Sequence, residues 1–169
     1  MQSENVYIGD DKFQRFLDHY NCPAPLGVVK LRFAGAVCSP NPNLRPTDVI
    51  ASLFAENMQP RLTTKNEAEL FFKFFMGLWD EMFVEIKTNT LKLPEFSGNK
   101  NDTKELAELC HSRADQIEFG FVEGFWGGCE TLSIPNYAAE LMASLSDMAD
   151  VYGVLTKKLA QAENPKDIY

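Results

Sequence analysis

Histidine is nearly absent: the 169 residues hold two copies, His19 and His111. A nucleophile needs an adjacent base, and the one sequence-adjacent thiol and imidazole, Cys110 and His111, diverge by about 100° if they lie on a helix. The four cysteines (Cys22, Cys38, Cys110 and Cys129) contain no CxxC pair, which argues against a compact disulfide framework and leaves buried or half-buried thiols as the plain expectation. A zinc set of His19, Cys22, Cys110 and His111 is the sharper alternative, weakened by the same divergence. There is no Glu-x-x-His pair for a di-iron bundle. "GFVEG" lacks the GK[ST] ending of a phosphate loop and the GxGxxG spacing of a dinucleotide turn. No run approaches the 18 apolar residues of a membrane span. Met1 to Asp10 has no Lys or Arg and no apolar run after it, so no targeting leader is read there and a cytoplasmic protein is expected. Low-complexity runs and tandem repeats are missing, and strand signals almost so. These absences leave an expectation of no catalytic residue, no cofactor, no bound metal and no membrane.

What is present is core-forming material. Hydrophobic residues make up 45% of the chain and aromatics 12%, with 13 Phe, which requires a folded protein with a substantial interior. A chain of this length buries roughly 70% of its unfolded surface in one core, so residues 1–169 are read as one domain with Met1 to Asp10 and Glu163 to Tyr169 as flexible ends. The net charge of -8 repels nucleic-acid phosphate and anionic lipid and favours a neutral or basic protein partner.

Apolar spacing gives an all-α bundle of about six helices. Phe13, Phe16, Leu17 and Tyr20 form the first stripe, ended by Pro23 and Pro25. "LGVVKLRFAGAVCS" follows, with Leu26, Val29, Phe33 and Val37 on one face and a shallow surface at Ala34, Gly35 and Ala36. After the proline-rich "PNPNLRP", Thr47 is expected to cap "DVIASLFAEN". Thr64 and Glu67, in capping-box spacing, start a long fourth helix. That helix has one stripe at Phe71, Phe75, Leu78, Met82 and Ile86 and a second at Phe72, Met76, Trp79 and Phe83. Only its Lys73, Gly77, Asp80, Glu81 and Glu85 side is left for water, so it is expected at the bundle centre. "KTNTLKLPEFSGNKND" is a loop, with a hairpin through "TLKLPEF" left open. Asp102 with Glu105 launches the fifth helix, and Ser133 with Pro135 the last.

Two features carry the functional reading. In "QIEFGFVEGFWGGCE", Gly120, Gly124 and Gly128 recur every four residues among Phe119, Phe121, Phe125 and Trp126, clearing a strip on which another helix can lie closely. That helix is the second or fourth of this chain, or one from a partner; Gly127 and Gly128 also suit a helix stop. In the last helix Ala138, Leu141, Leu145, Met148, Tyr152, Leu155 and Leu159 alternate spacings of three and four, a seam either for a neighbour inside the bundle or for a homodimer. Gly120, Gly124, Phe125, Trp126, Gly128, Leu141, Leu145, Met148 and Tyr152 are therefore the candidate interaction or packing surface. The carboxylate pairs Asp80 with Glu81, Glu118 with Glu123, and Asp147 with Asp150 read as solvated faces, as does His111.

The order of "LRFAGAVCSPNPNLRPTDVIASLF", "ELFFKFFMGLWDEMF" and "FGFVEGFWGG" resembles the YecA/YgfB-like family of small bacterial all-α proteins, from about Phe13 to Leu159. Gly120, Phe121, Gly124 and Phe125 match its aromatic-Gly-Phe-Leu-x-Gly signature. Ser39 and Pro40 follow Cys38 where the family has glycine, and Asp48, Val49 and Ile50 replace its tryptophan near the third helix. "AQAENPKDIY" lacks the Cys-rich zinc motif of some members, so the roles of that motif are not implied. The resemblance implies a helical protein that acts by binding another macromolecule. The expectation is thus a non-enzymatic interaction or regulatory protein. The alternative is a small-ligand binder or enzyme with a pocket between the fourth and fifth helices, lined by Phe75, Trp79, Phe121 and Trp126 with Glu123 or His111 as polar group. A third reading is an acidic mimic of nucleic acid.

Overall fold

Leu26–Cys38 is apolar on every side except for Arg32 and Lys30, and a helix with that pattern is stable only when covered all round. The computed structural model describes residues 5–55, 58–93, 95, 98–99, 101–129 and 131–162. In it this helix, α2, is the central element. On one side lie α1 (Asp10–His19), α3 (Pro46–Ser52) and α4 (Lys65–Lys87). On the other lies a helical rod made of α5 (Thr103–Asp115), a π-helical segment (Gln116–Val122) and α6 (Glu123–Trp126). The last helix, α7 (Asn136–Gln161), packs along the far side of that rod. The described residues form an all-α bundle with no strand, and no helix among them is long and apolar enough to cross a membrane.

Central placement of α2 corrects the expectation that α4 holds the middle. One stripe of α4, Phe71, Phe75, Leu78 and Met82, is buried against α1 and α2; Phe75 meets Phe13 edge-on at 5.4 Å and stacks on Phe33 at 5.7 Å. The second stripe is open only at its ends: Phe72 is 40% and Phe83 51% exposed, while Met76 and Trp79 are half-buried. Gly77, expected to face water, is instead buried, because the backbone of Val6 and Tyr7 lies on it and a Cβ there would sit 2.7 Å from the Val6 carbonyl oxygen. Residues 5–9, assigned to a loose end by the sequence, thus pack on the core, where Tyr7 donates to Asp10 at 2.7 Å. Met1 to Glu4 and Glu163 to Tyr169 lie outside the described residues, as do Pro94 and Phe96 of the suggested hairpin; Thr90 to Leu93 is not strand.

Caps fall close to the expected places. Thr64 Oγ1 accepts from the Glu67 N–H at 3.1 Å, while the Glu67 carboxylate reaches one residue further than expected and accepts from the Thr63 N–H at 2.7 Å. Asp102 accepts from Lys104 and Glu105. Two caps are corrected. Arg45, not Thr47, precedes α3, and Asp48 bonds back to its N–H at 3.0 Å, because Pro46 fits the first helical turn and leaves Thr47 inside it. Pro135, not Ser133, precedes α7.

Candidate functional site

The glycine strip is occupied, and by α2. A Cβ on Gly124 would overlap the Arg32 carbonyl, 2.9 Å from its carbon and 3.0 Å from Arg32 Cα. One on Gly35 would overlap the Phe121 carbonyl and lie 2.8 Å from the Phe125 nitrogen. The shallow surface of α2 and the cleared strip of the rod are thus two halves of one crossing, backbone on backbone. Gly120 takes part more loosely, with Leu31 Cβ at 3.0 Å. Gly128 is corrected: it has left the helix at φ 72°, and a Cβ there would meet nothing within 4 Å. Gly127, at φ 55°, is the left-handed cap, its N–H bonded to the Glu123 carbonyl at 2.9 Å. Phe125 is buried and Trp126 half-buried, their rings edge-on at 5.4 Å.

At the same crossing sits a residue that neither motif nor apolar spacing had singled out. Arg32 is a charged side chain in the most apolar helix, 9% exposed, and it holds three elements together. Its Nε donates to the Phe119 carbonyl at 2.8 Å and its Nη1 to the Ser52 carbonyl at 2.9 Å, while Nη2 meets the Phe119 carbonyl and the Glu123 carboxylate. Burial presses the guanidinium pKa down, and the Glu123 charge opposes that. Phe119 lies in the π-helical segment, where a wider turn breaks the regular ladder of the rod; such segments are rare and frequent at functional sites. The signal available in the sequence was the lone arginine among "VVKLRFAGA". Beside this knot runs a cleft of about 730 Å³ whose walls include Val49, Ser52, Glu118, Glu123, Trp126 and Ser146.

The expected pocket between the fourth and fifth helices is overturned, since α2 fills that space. Phe75 is fully buried and Trp79 packs edge-on to Phe33, while Trp126 lies at the cleft. His111 is exposed, 3.6 Å from Asp115. Cys110 packs under α7 with Ala107 and Leu159, whereas Cys22 packs with the α1, α2 and α4 core, so the zinc set does not assemble. Among the described residues no three His, Cys, Asp or Glu are grouped to hold a metal ion. All four cysteines are free, and Cys38, expected to be at least half-buried, is exposed because α2 ends there.

The seam of α7 divides. Leu145, Tyr152, Leu155 and Leu159 turn to the rod, joined by Met142 and Ala149, which the spacing had not included. Leu141 and Met148 do not: they are 63% and 49% exposed, and Tyr137, Val151 and Val154 are exposed with them. The intrachain neighbour covers one flank of a broad apolar stripe and leaves the other in water. No family model, curated protein or solved structure matches the chain.

Proposed function

We propose that this protein works by binding another protein and is not an enzyme, with the apolar stripe Phe72, Met76, Trp79 and Phe83 of α4 as the docking face. The observation that supports this is the exposure of Phe72 and Phe83 on a helix that already buries Phe71, Phe75, Leu78 and Met82 inside its own fold. Phe72 and Phe83 are exposed at the two ends of this stripe, with Met76 and Trp79 half-buried between them, and exposed apolar patches mark interaction sites. Each phenylalanine that passes from half-exposed to covered contributes on the order of 1 kcal/mol to association. The occupant that fits is an amphipathic partner helix with neutral or basic flanks, since a net charge of -8 penalises an acidic one. The resemblance to YecA/YgfB-like proteins carries the same expectation. A Phe72→Asp, Phe83→Asp variant with unchanged circular dichroism should lose a protein that the unaltered chain retains on affinity capture. Equal retention by both chains refutes the assignment.

A second reading rests on the cleft. Trp126 stands in the same cleft as Glu118, an aromatic wall with one carboxylate outside the Arg32–Glu123 and Arg45–Asp48 ion pairs, a combination that suits a small organic cation. A panel of amines and guanidines should then raise the melting temperature of the unaltered protein but not of Trp126→Ala. No shift with any of them removes this reading.

A further inference from the structure

We propose that residues 5–9 form a hinged strap across α4, which opens at Gly9 while the bundle stays folded and which, when closed, inhibits docking on the α4 face. The seat is Gly77. The backbone of Val6 and Tyr7 crosses α4 there, in a gap that only glycine leaves: an added Cβ would lie 2.7 Å from the Val6 carbonyl oxygen, 2.9 Å from its carbon and 3.1 Å from the Tyr7 nitrogen. The hinge is Gly9, at φ 85°, a conformation that glycine adopts without strain. A Cβ on it would meet nothing within 4 Å, so the chain has room to turn there.

Side chains alone fasten the strap. Among the described residues, Asn5 to Ile8 make no backbone–backbone hydrogen bond. Tyr7 holds the closed position: its ring lies 5.6 Å from that of Phe13, Lys30 Nζ stands 5.5 Å from its centroid, and its hydroxyl donates to Asp10 at 2.7 Å. Ile8 packs on the same core, while the Val6 side chain is 64% exposed. A segment with few buried contacts and no backbone ladder opens locally at less cost than the whole fold. What it covers connects it to binding. Phe13, against which Tyr7 packs, is fully buried while the strap is closed. At the other end Asn5 shares a cleft of about 580 Å³ with Phe72 and Met76 of the proposed docking stripe. Gly77 follows Met76 directly, so opening joins the bare backbone of α4 to that stripe and removes one wall of the cleft. A partner that needs this surface binds only the open molecules, and its apparent affinity falls in proportion to their share. This inhibitory role rests on the α4 reading, whereas the hinged opening does not.

Thermolysin, which cuts before Val6 and Ile8, reads the opening under native conditions, since cleavage of a transiently opened segment follows its population. Rates are taken relative to free peptides of the same sequences. Gly77→Ala puts a methyl in the seat without weakening α4, alanine being the better helix former. It should speed removal of the strap at least roughly tenfold and leave the rest of the bundle uncut. Tyr7→Ala, which leaves α4 untouched, should also speed it, and Val6→Ala should not change the cut before Ile8. The apolar dye anilinonaphthalenesulfonate should fluoresce more with Gly77→Ala than with the unaltered chain, and adding Phe72→Asp should remove the increase. Strap cleavage no faster in Gly77→Ala and Tyr7→Ala than in the unaltered chain, or seen only as the whole bundle is digested, overturns the hinge. A dye signal indifferent to Gly77→Ala, or to the added Phe72→Asp, overturns the inhibitory role. Neither failure touches the capture test of Phe72 and Phe83, on which the proposed function stands or falls alone.

Discussion

Substituting alanine for Gly124 sets two effects of opposite sign against each other. Alanine is the better helix former by about 1 kcal/mol, so a sequence-level argument predicts stabilisation. At this crossing the new methyl would overlap the Arg32 carbonyl and lie 2.9 to 3.0 Å from two further main-chain atoms of a buried helix. Overpacking costs about 1–3 kcal/mol where side chains can adjust, and here the obstacle is backbone, so the upper end applies and α2 must move away from the rod. Withdrawal also loosens the Arg32 contacts with Phe119 and Glu123. Subtracting the propensity gain leaves a net loss of about 2 kcal/mol, which at 2–4 °C per kcal/mol for a chain of this size lowers the melting temperature by about 4–8 °C. Gly153 supplies the control: it lies in α7, where an added Cβ would meet nothing within 4 Å, so alanine there should raise the melting temperature by about 2–4 °C. Thermal unfolding of both variants, followed by circular dichroism, reads the two signs. A Gly124→Ala protein that melts at or above the unaltered one would refute the backbone-on-backbone crossing.

Two more expectations come from the polar contacts. Arg32→Lys keeps the charge but cannot donate to Ser52, Phe119 and Glu123 together, and should cost about 2–3 kcal/mol in urea unfolding. Glu123→Gln, whose carboxylate is half-exposed, should cost under about 1 kcal/mol. The Glu67 carboxyl is held below its usual pKa by the Thr63 N–H, then by the Thr63 hydroxyl and Tyr20. For Asp10, burial pushes the other way, but the hydrogen bonds from Tyr7 and Lys30 prevail and its pKa is also lowered. A depressed folded-state pKa gives stability that is complete above the unfolded value, about 4, and is lost as pH falls through the folded one. Asp10→Asn with Glu67→Gln should therefore flatten the fall in melting temperature below about pH 4 and change little of its slope at neutral pH. An unchanged acid slope would count against both hydrogen-bond networks.

Local chemistry was legible along the chain. The proline breaks, the Thr64 and Asp102 caps, the long fourth helix and the need for a close neighbour at Gly120 and Gly124 all follow from residue type and spacing, because caps, steric freedom and helical period act within a few residues. Tertiary structure decided which neighbour fills the strip. It chose α2, since Gly35 offers the matching gap, and so placed α2 rather than α4 between the two halves of the bundle. It also decided how much of each stripe is covered. Period shows where apolar side chains line up but not the width of the surface that meets them. Leu145 and Tyr152 therefore turned inward while Leu141 and Met148, from the same heptad pattern, stayed in water. The role of Arg32 was hidden for a related reason: a charge can lie in an apolar helix only if carbonyls and a carboxylate converge on it, and Ser52, Phe119 and Glu123 are 20 to 91 residues away along the chain.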